Sequence, residues 1–126
     1  MTEELLKWIP RETLDILKAQ TKDLPPFRLK ISKPRKTKLG DFRFPHNGKL
    51  PSISVNSNLS SGEFLLTLVH ELAHYMVFLE HGRLASPHGK EWKLTFRKLF
   101  APHFSSSIYT EEQQKALAKY FSNVKS

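Results

Sequence analysis

The chain has 126 residues, 39% of them apolar and 25% charged, which is enough to bury a real core without covalent staples. It contains no cysteine, which excludes disulfide scaffolds, thiolate zinc ribbons, iron–sulfur clusters and cysteine nucleophiles. The net charge of +8 is uneven: residues 26–50 carry eight basic and one acidic side chain, residues 90–126 seven and three, and residues 51–89 one and three. Such flanking excesses suggest a polyanionic partner, or only a well-solvated surface.

The length predicts one domain over residues 1–126, with a core of about 25–100 and a C-terminal helix of about 110–122. The longest apolar stretch, Phe64 to Leu79, is interrupted by His70, Glu71 and His74, so no lipid-spanning helix and no membrane partner are expected. The opening Met-Thr-Glu-Glu lacks the basic-then-apolar pattern of a secretory leader, and a cytoplasmic location is the expectation.

In chain order, residues 3–21 read as a helix in two pieces, with Leu5, Leu6 and Ile9 on one face, a reset at Pro10, and Leu14, Ile16 and Leu17 beyond it. Pro25-Pro26 ends this section. Phe27 to Ile31 alternates apolar and basic, the period of a half-buried strand. Residues 39–44 and 52–56 read as two more strands joined by a turn at His46-Asn47-Gly48, and the three are expected to form a small sheet of antiparallel type. Ser60-Ser61-Gly62-Glu63 has capping-box spacing and opens a helix through Leu79, with Gly82 as its left-handed cap. A further helix is predicted from Ser86-Pro87 to just before Pro102, carrying Trp92, Phe96 and Leu99 on its core face. Thr110-Glu111-Glu112-Gln113 opens the last helix. Helix, three strands, then helices make an α+β fold.

The chemistry sits in His70-Glu71-Leu72-Ala73-His74, an HExxH string. Residues four apart on a helix share a face, so both imidazoles can reach one metal ion. Two neutral imidazoles leave much of a zinc ion's charge uncompensated, which acidifies a water on it toward a pKa of roughly 7. Glu71, offset by one position, leans beside that face, where it can take the proton rather than ligate. A third ligand is needed. Glycine and histidine three and six residues past His74 would mark one peptidase subtype, but Val77 and Glu80 stand there. The remaining candidates are Glu91 and His88, which share a face of the next helix. His88 is favoured because it follows a loop and precedes Gly89, which clears a crowded spot. Glu91 then becomes a first-turn carboxylate on the helix dipole or a partner of a ligand.

Leu39-Gly40, Ile53-Ser54-Val55-Asn56, Thr67 through His74, and His88-Gly89-Lys90-Glu91-Trp92, in that order, resemble the SprT-like family over roughly Pro25 to Phe100. The HExxH followed by His-Gly-x-x-Trp is the most specific part. The resemblance implies a zincin-like fold, one zinc ion held by His70, His74 and His88, Glu71 as general base, and hydrolysis of peptide bonds in protein substrates. The family includes a metalloprotease that degrades proteins crosslinked to DNA. Many members carry a cysteine zinc ribbon after the protease core, and this sequence departs from them in having none.

The basic run Arg28, Lys30, Lys33, Arg35, Lys36 and Lys38 is a candidate DNA-binding segment in the ribbon's place, or else a lysine-protected edge strand. A second reading of the chain is a nucleic-acid-associated module whose zinc is structural, with four protein ligands and no proteolysis. Of the remaining residues, His81 reads as a cation at a helix C-terminus, His46 and His103 as surface residues, and Trp92 and Phe96 as core. Tyr75 is expected to point off the metal face. A donor to a developing oxyanion, Tyr109 or a histidine, is left open.

Overall fold

In the computed structural model, which describes residues 2–105 and 107–122, two single turns (Glu3–Lys7 and Arg11–Thr13) lead into α1, Leu14–Thr21. Pro10 separates the turns, and its carbonyl accepts the Thr13 hydroxyl at 2.7 Å. Strands β1 (Arg28–Ser32), β2 (Gly40–Arg43) and β3 (Ser52–Asn56) follow, then helices α2 (Ser61–His81), α3 (Lys90–Phe100) and α4 (Glu111–Ser122). The α+β class stands. Among the described residues no helix is long and apolar enough to cross a membrane.

The strand order is β1-β3-β2, so the last strand in sequence is central. Asn47 and Gly48, with φ of 49° and 74°, turn the chain between β2 and β3, which pair antiparallel from Gly40↔Val55 to Arg43↔Ser52. The antiparallel expectation fails on the other side: β1 runs parallel to β3, from Arg28↔Ser52 to Ser32↔Asn56. The sheet is mixed because residues 33–39 carry the chain across the end of β3 before β2 begins. Asn56, only 2% exposed, ties that crossing down. Its amide donates to the Arg35 carbonyl at 2.8 Å and its backbone N–H to the Leu39 carbonyl at 2.7 Å.

Alternation along β3 sends Ile53 and Val55 into the core under α2, while Ser52 and Ser54 take the outer face. Phe64, Leu65, Leu68, Val69 and Leu72 of α2 meet them, and Trp92, Phe96 and Phe100 of α3 extend the same core. Each such side chain contributes roughly 1.5–3 kcal/mol on burial. Both capping boxes form: Ser60 with Glu63, and Thr110 with Gln113, whose side-chain oxygen accepts the Thr110 N–H at 2.9 Å. The β2–α2 contact is close enough to require glycine. A Cβ on Gly40 would lie 2.8 Å from both the Ser54 carbonyl oxygen and Thr67 Cγ2.

Two expectations need correction. Helix α3 begins at Lys90 rather than at Ser86-Pro87. Ser86–Gly89 instead forms a turn, closed by the Gly89 N–H on the Ser86 carbonyl at 3.0 Å, with Pro87 and His88 as its central residues. Pro87's fixed φ suits that turn position as well as it suits a helix start. His103 is not a surface residue but fully buried. The turn Ala101–His103 rolls it under Phe100, where its Nε2 donates to Gln20 Oε1 at 2.9 Å while Gln20 Nε2 donates to the Leu99 carbonyl. Burial pushes the His103 pKa down to about 4.

Two predictions follow from this packing. Gly40→Ala should cost about 1–3 kcal/mol in urea unfolding, because neither the β3 backbone nor the Thr67 side chain can retreat freely; an unchanged midpoint would contradict the close approach. His103 is neutral when folded but titrates near 6.5 when unfolded, so it adds stability above pH 6.5 that is lost as pH falls toward 4. Stability measured across that window should fall less steeply in His103→Gln, by up to about 1.4 kcal/mol per pH unit. Parallel pH curves for the two proteins would remove His103 from the acid response.

Candidate metal centre

Helix α2 carries His70 and His74 one turn apart, with ring centroids separated by 5.0 Å. The turn before α3 brings in His88 at a φ of 59°, a left-handed conformation in which histidine is among the better-tolerated residues. Its Nε2 lies 3.0 Å from His70 Nε2 and 3.0 Å from His74 Nε2. The ligating atoms of the three residues all fall within 4.8 Å of one another. Ligands bound tetrahedrally at roughly 2.0–2.1 Å sit about 3.3 Å apart, so this spacing suits one ion. Glu91, the competing candidate, is exposed in the first turn of α3 and is not part of the cluster.

Trp92, 2% exposed, packs against all three imidazoles at centroid distances of 4.6, 5.3 and 4.5 Å to His70, His74 and His88. Its indole N–H donates to the His70 carbonyl at 3.2 Å. The expected core residue is therefore also the platform that orients the cluster. Burial, and then the charge of His88, push His70 down to about 4. Burial followed by His70 and His88 pushes His74 to about 3, and burial followed by Lys93 lowers His88. The three rings are accordingly neutral at neutral pH and offer lone pairs, a donor set that can hold a metal ion.

Glu71 is buried, at 6% exposure, and lies outside the histidine cluster. Its Oε2 would stand 3.3 Å from a Cβ at Gly40, which puts the carboxylate against the start of β2. Burial, and then the Asp41 carboxylate, raise its pKa to about 7, while Lys38 and Arg35 pull it back. Asp41 is pushed up by burial but held below the usual carboxylate range by hydrogen bonds from Lys38 at 2.9 Å and Ser54 at 2.8 Å and by the charges of Lys38 and Arg43. His70 and Glu71 line a cleft of about 540 Å³, and His74 lines a hollow of about 50 Å³ on the other side.

Tyr109, considered from the sequence as an oxyanion donor, is buried and spends its hydroxyl on the Gly62 carbonyl at 2.8 Å. Tyr120 of α4, which belongs to no motif and carries no local signal of a role, lines the cleft with His70 and Glu71. His46 is exposed, as expected, and His81 is the exposed last residue of α2.

The six basic candidates divide. Arg28 and Lys30 are exposed at alternate positions of β1, and Lys33 and Lys36 are exposed beyond it. Arg35 is half-buried, with Nη2 reaching Ser54 Oγ at 3.5 Å, and Lys38 is paired with Asp41. These two belong to the support around Glu71. Arg43, absent from the expected set, is exposed on β2 and lies 3.7 Å from Asp41.

No curated protein matches the sequence. The model of the SprT-like family matches residues 4–117, extending beyond the stretch from Pro25 to Phe100 on both sides. With the histidine cluster formed by the residues that carry the resemblance, and with the match spanning nearly all of the sequence, the chain belongs to the SprT-like family.

Proposed function

We propose that the protein is a zinc-dependent metallopeptidase that hydrolyses peptide bonds in protein substrates, with His70, His74 and His88 as the metal ligands and Glu71 as the general base. The observation that carries this reading is the convergence of three neutral imidazoles within 4.8 Å beside a buried carboxylate that faces a cleft. Three protein donors, the full cluster among the described residues, fit a catalytic ion with a free position better than a structural one with four ligands. Zinc bound there would polarise a scissile carbonyl and make water acidic enough to attack it. Glu71 accepts the proton from the attacking water and returns it to the departing amine. Its carboxylate lies against Gly40 at the start of β2 and outside the histidine cluster. Strand β2 is a sheet edge beside Glu71 and offers main-chain groups with which an extended peptide can pair.

The purified protein should contain about one zinc per chain, and His74→Ala or His88→Ala should lose it. Glu71→Gln should keep the metal and lose cleavage by about 100-fold or more. Metal content unchanged by the histidine substitutions would refute the ligand set, and turnover retained in Glu71→Gln would remove Glu71 from its role.

A polyanion, with DNA as the partner in view, would meet Arg28, Lys30, Lys33 and Lys36, the exposed members of the basic run other than Lys38, which Asp41 engages. Binding through phosphates is blind to sequence and weakens steeply with salt. Replacing Lys33 and Lys36 by glutamate should weaken DNA binding and flatten its dependence on salt, by about one unit of slope for each lost contact. An affinity indifferent to both salt and substitution would leave the charge as surface solvation only.

A further inference from the structure

The two sides of the histidine cluster differ in the room they leave. The cleft shared by His70 and Glu71 measures about 540 Å³, whereas the hollow beside His74 measures about 50 Å³ because Phe42, Phe44, Phe78, Pro87 and Trp92 fill that side. The larger space is walled by Leu39, Leu66, Phe96, Ala116, Leu117 and Tyr120, drawn from the start of β2 and from α2, α3 and α4. Its charged lining groups are Lys38, already bonded to Asp41 at 2.9 Å, and Glu71. A charged side chain entering the cleft, of either sign, would meet a group of its own sign, Glu71 for an acid and Lys38 for a base. An apolar side chain would bury carbon against carbon and strand nothing.

Helix α4 contributes three of these walls. It is anchored by Leu117, by the Phe121 ring at 5.3 Å from Phe96 and 5.6 Å from Phe100, and by a hydrogen bond from Arg97 to the Phe121 carbonyl. Tyr120 stands 6.3 Å edge-on from Phe96 and is partly exposed at the cleft.

We infer that the cleft is a specificity subsite for a large apolar side chain of the substrate flanking the scissile bond on the His70–Glu71 side, that α4 sets this preference through Ala116, Leu117 and Tyr120, and that the His74 side exerts no comparable selection for size. The inference rests on the peptidase reading above and names the substrate feature that the same site selects.

The test is cleavage-site profiling of the zinc-loaded full chain on a mixed peptide library, read beside binding of fluorescent peptides to the zinc-loaded Glu71→Gln protein. Leu, Met or Phe should exceed Ala at one position next to the cut by about tenfold or more in kcat/KM, and the uncut Leu peptide should bind at least about tenfold tighter than its Ala counterpart. Ala116 is exposed, so Ala116→Trp can fill the cleft without entering the core, and it should reduce the Leu-to-Ala ratio in both measurements. Tyr120→Phe should keep the ratio and Tyr120→Ala should lower it, because the wall is the ring and not the hydroxyl. Glu71-dependent cleavage with a flat profile, or a ratio unmoved by both Ala116→Trp and Tyr120→Ala, overturns the subsite and leaves the peptidase reading standing. A binding preference that responds to these substitutions, without any Glu71-dependent cleavage, supports the subsite and overturns the peptidase reading instead.

Discussion

Everything at the centre of this molecule depends on three imidazole rings being held around one point by a single indole. Trp92 touches each ring and donates its N–H to the His70 carbonyl, so it fixes α2 against the turn that carries His88. Packing of this kind orients the three donors in advance, and preorganisation of that sort is what a metal site would need to act without rearrangement. The arrangement has a local cost. His88 sits at positive φ, a conformation that costs a non-glycine residue of order 1 kcal/mol, and the surrounding contacts sustain it.

The sheet serves the same point from the other side. Gly40 lets β2 approach α2 at the turn that carries Thr67 and Glu71, and the crossing of residues 33–39 over β3 delivers Lys38 and Arg35 to the neighbourhood of the Glu71 carboxylate. Asn56 makes that crossing stable by pairing backbone groups that would otherwise be buried without partners. The basic run therefore divides by what its side chains engage. Arg35 and Lys38 are held by Ser54 and Asp41, while Arg28, Lys30, Lys33 and Lys36 remain facing solvent.

Local signals in the sequence were dependable where the physics is local. Both capping boxes, the Asn47-Gly48 turn and the break at Pro10 appear as expected, because each involves groups within a few residues of one another. The same holds for His70, Glu71 and His74, whose relation is set by one helical turn. Expectations failed where a residue type suits two settings. Proline fits a helix start and a turn equally, so Ser86-Pro87 resembles a helix start although α3 begins at Lys90. Histidine in a short polar-looking loop gave no sign that His103 would be rolled beneath Phe100 and bonded to Gln20.

The sequence by itself determined the α+β class, the helix that carries His70 and His74, and His88 as the residue expected to join them, since spacing along one helix and the chemistry of a side chain are local properties. Only the tertiary structure decided that β1 runs parallel to β3, that Glu71 rests on Gly40, that Trp92 supports all three rings, and that Tyr120 faces the cleft. The reason is physical: these relations join residues far apart in the chain. Their formation depends on which surfaces bury together, and periodicity in a single stretch carries no record of its partner.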